Sequence, residues 1–118
     1  MPPPFRRFVQ GFAYAGQGMA HLLRTQRNAQ VHALLTIVAL GLAASVGLRA
    51  SEWAVLSLTI GLVWAAEAFN TALEATIDLI SPTPHPLAKI AKDTAAAGVL
   101  CSALAAAAVA AFLFLPHF

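Results

Sequence analysis

Apolar residues in the first 30 positions recur at three- and four-residue steps: Phe5, Phe8, Val9, Phe12 and Met19. Arg6, Arg7, Gln10 and Gln17 fall between them. This pattern predicts an amphipathic helix over about residues 3–28, lying in a bilayer interface. Pro2, Pro3 and Pro4 suit its start, where missing amide donors cost little. The pattern then changes to three long apolar stretches, at about 29–48, 52–80 and 86–115. Each meets or approaches the roughly 20 apolar residues that a membrane span requires. Arg49-Ala-Ser-Glu52 reads as a short polar turn, with Ser51 as N-cap and Glu52 in the first turn of the next helix. Trp53 marks the interfacial start of that helix, and Ser81-Pro82-Thr83-Pro84 ends it. Strand-like alternation is missing throughout. The expected fold is an all-α integral membrane protein, one domain over 1–118, with a surface helix and three transmembrane helices.

Composition strengthens this reading. Of 118 residues, 59% are hydrophobic and 10% charged, and the mean hydropathy is +0.74. A soluble domain carries about 25% charged residues, so a water-facing surface cannot be covered here. Disorder is excluded by the same excess of apolar surface. A net charge of +2 is too small for a nucleic-acid surface. The single cysteine, Cys101, cannot form an intrachain disulfide and reads as a small hydrophobe within an apolar run. No secretory signal is expected, because no apolar core and cleavage site follow the basic start.

The basic residues are unevenly placed. Arg6, Arg7, Arg24 and Arg27 lie before the first span, and Lys89 and Lys92 follow the second. Between the first two spans there is only Arg49, offset by Glu52. The positive-inside rule then puts the amino terminus and the second loop in the cytosol. The last span is rich in alanine, with Ala95 to Ala97, Ala103, Ala105 to Ala108, Ala110 and Ala111. Small side chains let membrane helices approach closely, and three helices alone cannot surround a polar site, so oligomerisation is expected.

Glu67-Ala-Phe-Asn70-Thr-Ala-Leu-Glu74-Ala-Thr-Ile-Asp78 carries the chemistry. At 100° per residue, Asn70, Glu74 and Asp78 fall at about −60°, −20° and +20° from Glu67, on one helix face about 16 Å long. Counted from Trp53, Glu67 lies about 21 Å into the helix, while Glu74 and Asp78 approach the cytosolic surface. Acids at such depth are expensive unless used or paired. Two readings follow. The acids pair with Lys89 and Lys92 to hold helices together, or they form a magnesium site, with Glu67 placed to act as a general base.

A second cluster, His85-Pro-Leu-Ala-Lys89-Ile-Ala-Lys92-Asp93, opens the last helix. Its lysines suit phosphate oxygens, and Asp93 can orient one lysine or a metal-bound water. Alone, the lysines read as snorkelling side chains at a membrane boundary. The chain has no Walker-type glycine loop or protein-kinase signature, so a nucleotide would be held by these charges and a metal.

Together the two strings resemble the signature of the prokaryotic diacylglycerol kinase family, which includes the undecaprenol kinases of Gram-positive bacteria. The resemblance extends to the Phe8–Leu23 helix, to Arg24-Thr-Gln-Arg-Asn28 and to His32. It implies a homotrimer in the bacterial inner membrane, with active sites between subunits at the cytosolic boundary. It also implies transfer of the γ-phosphate of MgATP to the hydroxyl of a membrane lipid alcohol. In this resemblance Glu67 matches the general base and Asn70 its neighbour at the reacting groups. Glu74 matches a magnesium-binding carboxylate. Arg7, Tyr14, Asp78, His85, Lys92 and Asp93 match positions around ATP. Where the family usually has a second metal-binding glutamate, this chain has Gln26, which can offer an amide oxygen but no charge. The wording of the His85–Asp93 string and of Arg27-Asn28 favours undecaprenol as acceptor, with diacylglycerol next. The competing readings are a catalytically silent relative and an oligomeric proton or cation conductor. A conductor needs polar residues through the whole span, and Ala54 to Ala66 offers only Ser57 and Thr59.

Overall fold

Four helices account for almost all of residues 3–118, which the computed structural model describes. Met1 and Pro2 lie outside the described residues. Helix α1 runs Pro4–Thr25, α2 Arg27–Val46, α3 Ala50–Ile80 and α4 Pro86–Phe114, with a 3₁₀ turn at Leu115–His117. No strand occurs among the described residues. Helices α2, α3 and α4 are each long and apolar enough to cross a membrane. They run up, down and up, so the start of α2, the end of α3 and the start of α4 share one end of the bundle.

Pro4 takes the first position of α1, where it forfeits no helical hydrogen bond. Phe8 and Phe12, one turn apart, meet edge to face with centroids 5.3 Å apart. Leu22 is the only buried residue of α1 among those described. Its apolar stripe is otherwise uncovered, with Phe5, Phe8, Val9 and Phe12 all at least half exposed. This is the surface expected of a helix lying on a bilayer.

The surface helix ends sooner than its sequence pattern predicts. Gln26 adopts an extended conformation and breaks the chain between α1 and α2, so Arg27 and Asn28 open the first span rather than close the surface helix. Two side chains bond carbonyls at this end of α1. The Thr25 hydroxyl donates to the His21 carbonyl at 2.7 Å, and Gln30 Nε2 reaches back across the break to the Leu23 carbonyl at 3.1 Å. The Gln30 bond satisfies the Leu23 carbonyl, which the end of the helix would otherwise orphan.

At the opposite end, α2 closes on Gly47, whose φ of 74° is the left-handed conformation that glycine adopts without strain. The start of α3 differs from expectation. Arg49, not Ser51, is the capping position. Glu52 reaches back to accept from the Arg49 amide at 3.1 Å and from its guanidinium at 3.0 Å. Ala50 and Ser51 are already helical, because the carboxylate of Glu52 does the capping.

Contact is most extensive between α3 and α4, and α2 leans on them more lightly. Ala43, Leu48, Leu56, Leu113 and Phe114 form the buried apolar core, close to the Gly47 end. Elsewhere large apolar side chains such as Ile37, Leu58, Leu104 and Phe112 face outward. An apolar exterior of this extent belongs in lipid or against another chain. Cys101 is among the exposed residues and unpaired.

Candidate active site

Along the α3 stripe, burial falls in the order of the sequence. Glu67 is 1% exposed and Asn70 8%, Glu74 is half-buried, and Asp78 is exposed. With 31 residues, α3 is about 46 Å long against a hydrocarbon core of about 30 Å, so about ten residues project past the core. The stripe therefore descends from the surface into the bundle.

Each acid meets a different element. Glu67 turns toward α2, where Nε2 of His32 lies 3.8 Å from its Oε2. Asn70 Nδ2 approaches Glu74 Oε1 within the stripe at 3.4 Å, at the limit of a hydrogen bond. Asp78 joins α4 through Lys92 at 2.5 Å, and Lys89 pairs with Asp93 one turn apart at 2.5 Å. The pairing reading holds at Asp78, which ties α3 to α4, whereas Lys89 pairs with Asp93 rather than with the stripe and Glu67 meets His32. Glu67 Oε2, Asn70 Oδ1 and Thr71 Oγ1 are buried without a hydrogen-bond partner, a concentration of unsatisfied oxygen that a purely structural helix avoids.

Two recesses flank the stripe. A polar cleft of about 400 Å³ lies between the end of α3, the 81–85 loop and the start of α4. Asp78, His85, Lys92 and Asp93 line it, together with Lys89. Four of the six positions matched to ATP are therefore gathered in one place. His85 has a structural duty there, since its Nδ1 accepts from the Leu87 amide at 3.1 Å and caps α4. The other recess is an apolar groove of about 350 Å³ between α2, α3 and α4. His32 and Thr36 are among its few polar residues, and Ala103, Ala106, Ala107 and Ala110 give it a shallow α4 wall.

The remaining expected residues stand apart. Arg7 and Tyr14 lie two turns apart on the exposed stretch of α1. Gln26 occupies the α1–α2 break, where its Nε2 donates to Thr25 Oγ1 at 3.2 Å. Among the described residues, no three His, Cys, Asp or Glu side chains cluster as a ready-made metal site. The donors expected from sequence are nonetheless hard oxygens: the Glu74 carboxylate and the Gln26 amide oxygen. Such a set fits magnesium, which needs only one or two carboxylates when phosphates and water complete its shell.

His32 and its supports had no assigned role from sequence beyond the resemblance. Trp64 Nε1 donates to Thr36 Oγ1 at 3.1 Å across the α2–α3 interface, and Thr36 donates to the His32 carbonyl at 2.7 Å. A signal was available. His32, Thr36 and Ser45 are the only polar side chains between 32 and 48, and a polar group in a span needs a partner inside the protein.

The fold and site define a three-span helical membrane protein with a polar cleft and a buried carboxylate along the same helix. The prokaryotic diacylglycerol kinase model matches residues 13–114. The undecaprenol kinase of Bacillus subtilis is 41% identical over 110 residues, covering 93% of this chain and 89% of that protein. A diacylglycerol kinase of Synechocystis is 43% identical over 106 residues, covering 89% of this chain and 61% of its own length. One from Pseudomonas aeruginosa is 29% identical over 102 residues, covering 81% of this chain and 83% of its own. The chain belongs to the prokaryotic diacylglycerol kinase family. It is a membrane lipid kinase, a phosphotransferase with an alcohol acceptor that uses ATP.

Proposed function

We propose that this chain phosphorylates undecaprenol, with diacylglycerol as the next candidate acceptor. The choice rests on the likeness to the Bacillus subtilis undecaprenol kinase and on the His85–Asp93 and Arg27-Asn28 wording. One observation supports the site assignment: the stripe runs from buried Glu67, beside the groove-lining His32, to exposed Asp78 in the polar cleft. Nucleotide phosphates bind in the cleft against Lys92, with Asp78, His85 and Asp93 around them and Arg7 and Tyr14 contributing from α1. Glu74 and Gln26 would hold magnesium, which supplies charge neutralisation on the phosphates. The lipid enters from the bilayer, with its hydroxyl at Glu67, whose carboxylate takes the hydroxyl proton while Asn70 orients the reacting groups. Phosphoryl transfer asks chiefly for positioning and charge neutralisation, which such a layout provides.

The chain works as a homotrimer with its site on the cytosolic side. Six of its seven Lys and Arg residues lie at the site end of the bundle and only Arg49 at the other, which supports this orientation. The outward-facing apolar surface supports assembly. Radiolabelled ATP supplied to membranes containing each alcohol tests the function. Undecaprenol should be labelled in preference to diacylglycerol, and Glu67→Gln should cut turnover by about 100-fold or more while assembly persists. Wild-type turnover in Glu67→Gln would remove the base assignment, and preferential labelling of diacylglycerol would reverse the acceptor.

A further inference from the structure

Nothing in the proposed reaction uses His32, whose side chain is only 14% exposed on α2. Its imidazole is half-buried and is the group from a neighbouring helix that approaches Glu67, at 3.8 Å. That distance is too long for a hydrogen bond. Catalytic hydrogen bonds are often long before substrate binds and shorten in the reacting complex. Glu67 Oε2, the oxygen facing His32, has no other partner. One cross-helix hydrogen bond secures the approach. Trp64 stands three residues before Glu67 on α3, and Thr36 stands four after His32 on α2. The Trp64–Thr36 hydrogen bond therefore lies about one turn from the His32–Glu67 pair and holds the same register. The Thr36 hydroxyl, accepting from the indole, spends its own proton on the His32 carbonyl. A slip of one residue between α2 and α3 would break both contacts.

We propose that His32 is a positioning residue for Glu67, an inference that rests on the reading of Glu67 as the base. Its Nε2–H holds Oε2 and leaves Oε1 directed at the acceptor hydroxyl. As the alcohol oxygen forms its bond to the γ-phosphorus, the hydroxyl proton passes to Glu67 Oε1. The bond from that phosphorus to the departing ADP oxygen breaks, and ADP keeps the electron pair. His32 keeps its proton throughout and touches neither phosphate nor lipid.

The test uses the full-length purified protein with ATP and undecaprenol in mixed micelles, comparing His32→Leu, His32→Gln, His32→Asn and Glu67→Gln. His32→Leu should lower kcat about tenfold or more, with both KM values changed by less than about threefold. His32→Gln, whose amide N–H reaches a similar position, should recover to within about threefold of wild type. Adding His32→Leu to Glu67→Gln should lower the residual rate no further, because the two act as a unit. If His32→Leu fails to assemble, the Gln and Asn variants carry the test, since the shorter Asn amide falls short of Oε2. Equal kcat values in those two variants would overturn the proposal, as would a His32→Leu kcat within about twofold of wild type. An active Glu67→Gln would instead overturn the base reading itself. A silent Glu67→Gln beside a fully active His32→Leu would sink the His32 role alone.

Discussion

In the proposed site Lys92 serves two partners, Asp78 and a nucleotide phosphate, without much cost to stability. Its ammonium pairs with Asp78 across α3 and α4, but the Asp78 side chain is 65% exposed and that of Lys92 38%. Pairs in such surroundings contribute about 0–1 kcal/mol. A charge-assisted hydrogen bond to phosphate is worth about 1.5–3 kcal/mol. Lys92→Ala should therefore raise the KM for ATP about tenfold or more, while the thermal midpoint in detergent falls by less than about 5 °C. A large loss of stability with unchanged KM would mean that Lys92 is a helix tie and nothing more. Glu67 presents the opposite case. It is sealed within the bundle, and its chemistry depends on what α2 brings to it.

Among the elements, the α2–α3 connection is the most tightly specified. Gly47 has φ 74°, and a Cβ placed there meets nothing within 4 Å. The penalty for Gly47→Ala is then conformational alone, about 1–2 kcal/mol. Its thermal midpoint should drop by several degrees and its kcat remain within about twofold of wild type, since the stripe lies at the other end of the bundle. Legibility from sequence varied by element for physical reasons. The spans and the α3 stripe were readable because length, hydropathy and a 100° turn per residue are local properties. The Gln26 break fell two to three residues from its expected place because neither Gly nor Pro marks it. Gln30 bridges the break instead, through a bond to the Leu23 carbonyl that composition does not reveal. The α3 cap moved from Ser51 to Arg49 because a carboxylate three residues on outcompeted the serine hydroxyl. His32 was visible as a polar residue in an apolar run, but its partner lies 35 positions away and only the tertiary fold pairs them.

Taken whole, the molecule separates stability from chemistry along its long dimension of 50 Å. The apolar core sits near Gly47 and the acids and lysines at the other end. Helices α3 and α4 have length to spare, whereas α2 has 20 residues, about 30 Å, which matches the hydrocarbon core with no surplus. Gln26 is the only residue between it and α1, the helix proposed to lie on the membrane surface. Hydrophobic mismatch therefore falls on α2 first. In a thicker bilayer it cannot extend, so the membrane must thin around it or α1 must be drawn down, and the Thr36–Trp64 bond carries that displacement to α3. In vesicles of monounsaturated phosphatidylcholines with about 14 to 24 acyl carbons, kcat should peak at intermediate chain length and fall severalfold at the longest. A flat profile would show that the one-residue joint yields freely. The kinase would otherwise act as a gauge of the membrane in which its lipid is made.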